Sequence, residues 1–169
     1  HRERSPYTGD GQVACVTVMH NFDAQTFYNK WLRDIRGSQL YGGYVPNSAP
    51  WQPGCGGGVG WGAAMEIMPW EFYQHYGDRR VLEQNFNAMR RHVRWMTTWV
   101  DDNTGLMLSH DEQRWKNLGD WLPPRELPRA ELVHTYFLWQ CADIVVRTAH
   151  SLGEDATEFI AIRDAAAKA

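Results

Sequence analysis

Apolar positions along most of this chain recur at helical spacing, three or four residues apart, and seldom alternate as a half-buried strand requires. Phe27, Trp31 and Ile35 recur every four residues while Lys30 and Arg33 lie off that stripe. This predicts an amphipathic helix from Ala24 to Arg36, capped by Asp23 and ended by Gly37. Val13 to His20 is a shorter apolar run that fits a helix or a strand, with Thr8 or Asp10 in position to cap it. Trp61 to Tyr76 carries Met, Ile and aromatic residues on more than one face, which predicts a well-buried helix, kinked at Pro69 unless it starts near there. Gly77-Asp78 reads as a tight turn, Asp78 capping a helix with Val81, Leu82, Phe86, Met89, Val93 and Met96 on one face and His92 among arginines on the outer face. Arg129 to Leu152 is a long helix stopped by Gly153, and a last helix follows from Ala156, started by Glu154 or Asp155.

The segments form three pairs, with a tight turn inside each pair and a long loop between pairs. No Asn-Gly or Asp-Gly hairpin separates alternating apolar runs, so a sheet domain is not expected. The predicted class is all-α, three αα-hairpins with their long loops on one side. Gln39 to Gly60 and Leu106 to Arg129 are the long loops, and connectors of that length are commonly functional. The first is rich in Gly and Pro, but no Gly-Lys-Ser follows it, so it is no phosphate cradle. Asp101 to Gly105 starts like a calcium loop and lacks the glutamate that closes one.

Composition narrows the function. In 169 residues the hydrophobic share is 43%, the charged share 22% and the formal net charge −3. That is ordinary for a globular domain and offers no concentrated basic face for nucleic acid. Arg79-Arg80 and Arg90, Arg91 and Arg94 fall on a predicted helix as a solvated face. No apolar stretch is long enough to cross a bilayer and no signal-peptide pattern opens the sequence. Cys15, Cys55 and Cys141 are too far apart for a metal motif or a disulfide framework, and Cys15 and Cys141 read as buried thiols. No cofactor is implied. Nine tryptophans are the exception to an ordinary composition. Flat aromatic rings stack on the C–H faces of sugars, which favours carbohydrate as the ligand. Trp31, Trp95, Trp99 and Trp139 sit on predicted helices and read as core, leaving Trp51, Trp61, Trp115 and Trp121 in or beside loops as pocket candidates.

The chemistry concentrates in the opening stretch, His1 to Gln12. Glu3 and Asp10 bracket a turn stiffened by Pro6 and bent at Gly9, with Arg2, Arg4 and Tyr7 beside them. Two carboxylates on a short loop suit acid catalysis on a neutral polar substrate; the ordinary alternative is a charged chain end with a helix cap.

Arg2-Glu3-Arg4, then Tyr7-Thr8-Gly9-Asp10 and Gln12, resembles the acidic motif of the bacterial α-L-rhamnosidases, inverting glycosidases of the six-hairpin class. Their usual form is Asp-Glu-Arg-Leu-Gly-Trp-Thr-Gly-Asp-Ala-Gln. Gly60-Trp61-Gly62-Ala63-Ala64 is similar to the Gly-Trp-Gly-Asp-Ala of the same family, and Gly119-Asp120-Trp121 to a tripeptide of six-hairpin glycosidases. The resemblance implies an (α/α)6 toroid of which residues 1–169 form the N-terminal half, a single partial catalytic domain. It places Glu3 as general acid and Asp10 as a second acidic residue holding sugar hydroxyls. Arg4 binds hydroxyls or orients Glu3, while Tyr7, Trp61 and Trp121 form sugar-facing walls. The catalytic base is implied to lie in the later half of the barrel, so Glu66, Glu112 and Glu126 are not assigned to that role.

The implied partners are a rhamnose-containing substrate, the remaining half of the barrel and accessory β-domains of the parent chain. The sequence reads as an excerpt, for which little or no turnover in isolation is expected. Ala63 replaces the family's aspartate, and Ser5-Pro6-Tyr7 replaces Leu-Gly-Trp. Those departures motivate the alternatives: a non-catalytic carbohydrate-binding or degenerate paralogue, or a six-hairpin glycosidase for another sugar. No repeat consensus recurs between hairpins, as a structural helical-repeat module requires. The compartment is not encoded.

Overall fold

In the computed structural model, which describes residues 4–52, 58–108, 125–126 and 129–169, the helical spacing becomes seven helices. They are α1 (Thr8–Asn21), α2 (Gln25–Ser38), α3 (Val59–Gly62), α4 (Ala64–Tyr76), α5 (Arg79–Thr97), α6 (Ala130–Leu152) and α7 (Thr157–Ala166). Among the described residues there is no β-strand, only two isolated bridges, Tyr7 with Ser48 and Val100 with Met107.

The central element is α4, which packs against α1, α2, α5 and α6, and α7 lies along α6. Its side chains explain that position. Met65, Met68 and Phe72 are fully buried, and they meet Leu82, Met89, Val93 and Met96 of α5 and Leu138 and Val145 of α6. Each such side chain contributes roughly 1.5–3 kcal/mol on leaving water. Gly77 closes α4 in the left-handed conformation, φ 67°, and Gly153 closes α6 likewise, φ 74°, so α4–α5 and α6–α7 turn back sharply as hairpins. Asp78 caps α5 by accepting from the Arg80 N–H. The third pair, α1 and α2, meets where the Trp31 ring lies across Gly11.

Several expectations shift by a residue or a turn. Val13 to His20 is helix, not strand, and α1 starts at Thr8 with Tyr7 as N-cap and no side-chain cap bond, so neither Thr8 nor Asp10 caps it. Asp23 does not cap α2, whose N-cap is Ala24, and the helix runs through Gly37 to Ser38. Its buried stripe is Tyr28, Leu32 and Ile35; Phe27 is 60% exposed. The expected helix from Trp61 is interrupted at Ala63, and Pro69 is carried inside α4. The last helix starts at Thr157 with Ala156 as N-cap, and Asp155, one residue earlier, accepts from the Thr157 N–H and hydroxyl. Asp101 likewise accepts from the Asn103 N–H and from the Thr104 N–H and hydroxyl, so its carboxylate closes its own turn.

Two apolar faces stay open. On α6, Leu132, Tyr136 and Trp139 are exposed, and on α1, Val13 is 80% and Val16 41% exposed. Trp139 is therefore surface in this chain and not core. No helix among the described residues is long and apolar enough to cross a membrane.

Candidate active site

The short helix α3 packs against both α1 and α6. Pro6 has a fixed φ, and the segment Ser5 to Tyr7 runs beside the loop at 47–52, with Tyr7 extended. The Thr8 N–H donates to the Asn47 carbonyl at 2.8 Å and the Ala49 N–H to the Pro6 carbonyl at 3.1 Å. The Ser5 hydroxyl donates to Gln52 Oε1 at 3.0 Å. Pro46, Asn47, Ser48 and Ala49 are buried, so the turn that carries the charged residues rests on packed chain and not on solvent.

Asp10 follows on the first turn of α1 and is exposed. A carboxylate there sits near the positive end of the helix dipole. Arg4 is exposed and holds φ 55°, the left-handed region, which costs a residue with a Cβ about 1–2 kcal/mol. Such outliers gather at functional sites. Trp61 stands on the short helix α3, half-buried, and its ring lies against Gly9: a Cβ on Gly9 would fall 2.7 Å from Trp61 Cδ1. The Thr8 hydroxyl donates to the Trp61 carbonyl at 2.9 Å. On the other flank Phe137 of α6 presses on Gly60, where a Cβ would be 2.8 Å from its ring.

Of the residues singled out in sequence, Arg4, Tyr7 and Asp10 thus share one turn, and Trp61 packs directly on it. Trp51 lies on the loop that supports the turn and is 48% exposed. Glu3, Arg2, Trp115, Trp121, Gly119-Asp120, Cys55, His110, Asp111 and Glu112 lie outside the described residues.

Behind α3 is a cluster that periodicity misread. His92 is not on an outer face: it is fully buried, with Nδ1 3.0 Å from both oxygens of Glu66, which is also fully buried. Its ring stacks on Trp95, centroids 5.8 Å apart. Burial pushes the Glu66 carboxyl above its ordinary value against the pull of His92, and pushes the Cys141 thiol well up. Glu66, His92 and Cys141 bring ligand-type atoms within 4.8 Å of one another. Glu66 is held by His92 Nδ1 with Cys141 beside them, a polar knot between α4, α5 and α6 in which the other ring nitrogen, His92 Nε2, is buried with no hydrogen-bond partner among the described residues. The only sequence signal for it was a glutamate inside an apolar run.

Four arginines of α2 and α5 lie against neighbouring groups. Arg94 pairs with Glu158, Arg91 donates to the Leu40 and Tyr41 carbonyls, Arg36 to Asn85, and Arg90 lies over the Phe86 ring.

Comparison with known proteins matches residues 1–169 to the family model described as the bacterial alpha-L-rhamnosidase 6 hairpin glycosidase domain. An alpha-L-rhamnosidase of Streptomyces avermitilis is 33% identical over 158 residues, 93% of this chain and 15% of that protein. One from Alteromonas sp. is 29% identical over 182 residues, 99% of this chain and 19% of that protein. The crystal structure of the Streptomyces avermitilis alpha-L-rhamnosidase complexed with L-rhamnose superposes with a TM-score of 0.88 at 30% identity, covering 98% of this chain and 16% of that one. The chain spans under a fifth of the length of these relatives.

Proposed function

The chain belongs to the bacterial α-L-rhamnosidase six-hairpin glycosidase family, and from that premise we propose that its parent protein hydrolyses terminal α-L-rhamnosides with inversion, residues 1–169 forming the N-terminal half of the catalytic barrel. The observation that carries this reading is the packing of the Trp61 ring on Gly9, the residue next in the chain to the Asp10 carboxylate. A sugar presents hydroxyls at its edge and C–H groups on its face, and that pair of groups matches both.

In the proposed mechanism Glu3, protonated, gives its proton to the departing glycosidic oxygen. A base carboxylate from the rest of the barrel activates water on the opposite face, the two carboxyls standing roughly 6.5–9.5 Å apart to admit it. Asp10 binds ring hydroxyls and, as a neighbouring negative charge, favours the protonated form of Glu3. Arg4 orients Glu3 or binds hydroxyls, and Tyr7, Trp61 and Trp121 wall the subsite. The open apolar faces of α1 and α6 support a parent chain whose further hairpins cover them; accessory β-domains belong to the same proposal.

The test is incubation of the complete parent with a rhamnose-terminated disaccharide while the anomeric protons are followed by NMR. First release of the inverted anomer supports the reading. Release of the retained anomer overturns the mechanism. Rhamnose binding without release indicates a degenerate paralogue, the second reading, which rests on Ala63 at the family's aspartate position.

A further inference from the structure

Thr8 is fully buried, yet its hydroxyl does not cap the helix it starts. The hydroxyl instead crosses to α3 and donates to the Trp61 carbonyl at 2.9 Å, while its N–H donates to Asn47 at 2.8 Å. The Ala63 N–H that closes α3 bonds the Val59 carbonyl at 2.8 Å and also points to the Trp61 carbonyl, and the Thr8 hydroxyl ties that same helix end to α1. It also joins the two bodies that the proposed site requires. Asp10 is two residues after Thr8 on the same turn, and the Trp61 ring already lies on Gly9 between them. Behind α3, His92 Nε2 and the Val45 carbonyl press on Gly62, where a Cβ would stand 3.0 and 3.1 Å from them. α3 therefore has a wall at its back and Thr8 at its front.

We propose that Thr8 is a positioning residue, a latch that holds the Asp10 turn and the Trp61 ring in one register and so sets affinity for the sugar. This rests on the functional reading above and adds a residue to it that touches no substrate. A sugar spanning Asp10 and Trp61 gains from both only if their separation is fixed before binding, since any ordering left to the binding step weakens it. With the hydroxyl gone, the two groups move independently, ground state and transition state lose the same contact, and KM rises while kcat holds.

The experiment uses the complete parent carrying Thr8→Val, which keeps the shape and removes the donor, and Thr8→Ser, which keeps the donor. Steady-state hydrolysis of a rhamnose-terminated disaccharide and inhibition by free L-rhamnose are measured, with amide hydrogen exchange of residues 58–64. Thr8→Val is expected to raise KM and the inhibition constant about five- to ten-fold, the worth of one hydrogen bond, with kcat within about two-fold of wild type. Exchange in 58–64 speeds up, and Thr8→Ser restores all three. Unchanged KM and inhibition constant in Thr8→Val overturn the latch. So does equal damage from Thr8→Ser, which would assign the effect to the lost methyl group. A wild-type parent that neither cleaves nor binds rhamnose overturns the functional reading instead; the latch then stands or falls on the exchange rates alone.

Discussion

Gly11→Ala sets two effects of opposite sign against each other. Alanine in a helix interior is favoured over glycine by roughly 0.5–1 kcal/mol, and Gly11 lies inside α1. Against that, a Cβ at Gly11 would stand 2.0 Å from Trp31 Cη2 and 2.2 Å from Cζ3. Carbon atoms in contact need about 3.5–4.0 Å, so the ring must retreat by about 1.5 Å. It is not free to do so. Trp31 Nε1 donates to the Ala49 carbonyl at 2.8 Å, and the ring is packed beside Phe27 and Tyr28. Overpacking of this kind costs about 1–3 kcal/mol, and losing the indole bond adds about 0.5–1.5 kcal/mol. Sterics win, with a net loss of about 0.5–4 kcal/mol once the helix gain is subtracted. Gly37→Ala is the control. It is also helical, and nothing lies within 4 Å of its added Cβ, so only the favourable term remains. Thermal and urea unfolding of the parent would show Gly11→Ala melting below wild type and Gly37→Ala at or above it. A Gly11→Ala variant as stable as Gly37→Ala would refute the argument. Because Ala49 also binds Pro6, the same variant should weaken substrate binding.

His92→Ala leaves the buried Glu66 carboxyl without its main partner and opens a cavity, so a loss of about 3–5 kcal/mol is expected in urea unfolding; a loss below about 1 kcal/mol would mean that the knot carries no weight. Hydrogen bonds from Thr104, Thr157 and Arg94 hold Asp101, Asp155 and Glu158 below their ordinary values of 3.8, 3.8 and 4.5. Their contribution is complete above those values and is lost as pH falls through the lower, folded ones. The stability gap between wild type and Asp101→Asn, followed by melting against pH, should therefore be present at pH 7 and shrink below pH 4; a gap that widens on acidification contradicts the assignment.

Much of the fold was legible because helical spacing and chain-reversing glycines are local signals. Gly77 and Gly153 stop α4 and α6 where the sequence placed the turns, and Asp78 caps as expected. What failed was decided by tertiary contacts. Phe27 and Tyr28 are neighbours on one helix, and only the position of α4 determines which of them is buried. His92 reads as surface between arginines, yet a partner 26 residues away draws it inside. At the site, the motif residues Tyr7, Asp10 and Trp61 were visible in sequence. Thr8 was seen as a cap because capping is local, whereas its bond to Trp61 spans 53 positions.

Glu3 is proposed to supply the proton to the leaving group. This is tested most directly by comparing wild-type parent with Glu3→Gln on two substrates, a rhamnose-terminated disaccharide and an activated aryl rhamnoside. A general acid matters in proportion to the basicity of the leaving oxygen, and its removal typically costs about 10²–10⁴-fold. The account predicts a loss of that size in kcat/KM on the disaccharide and a far smaller one on the aryl substrate. Equal losses on both, or an active mutant on the disaccharide, would contradict it.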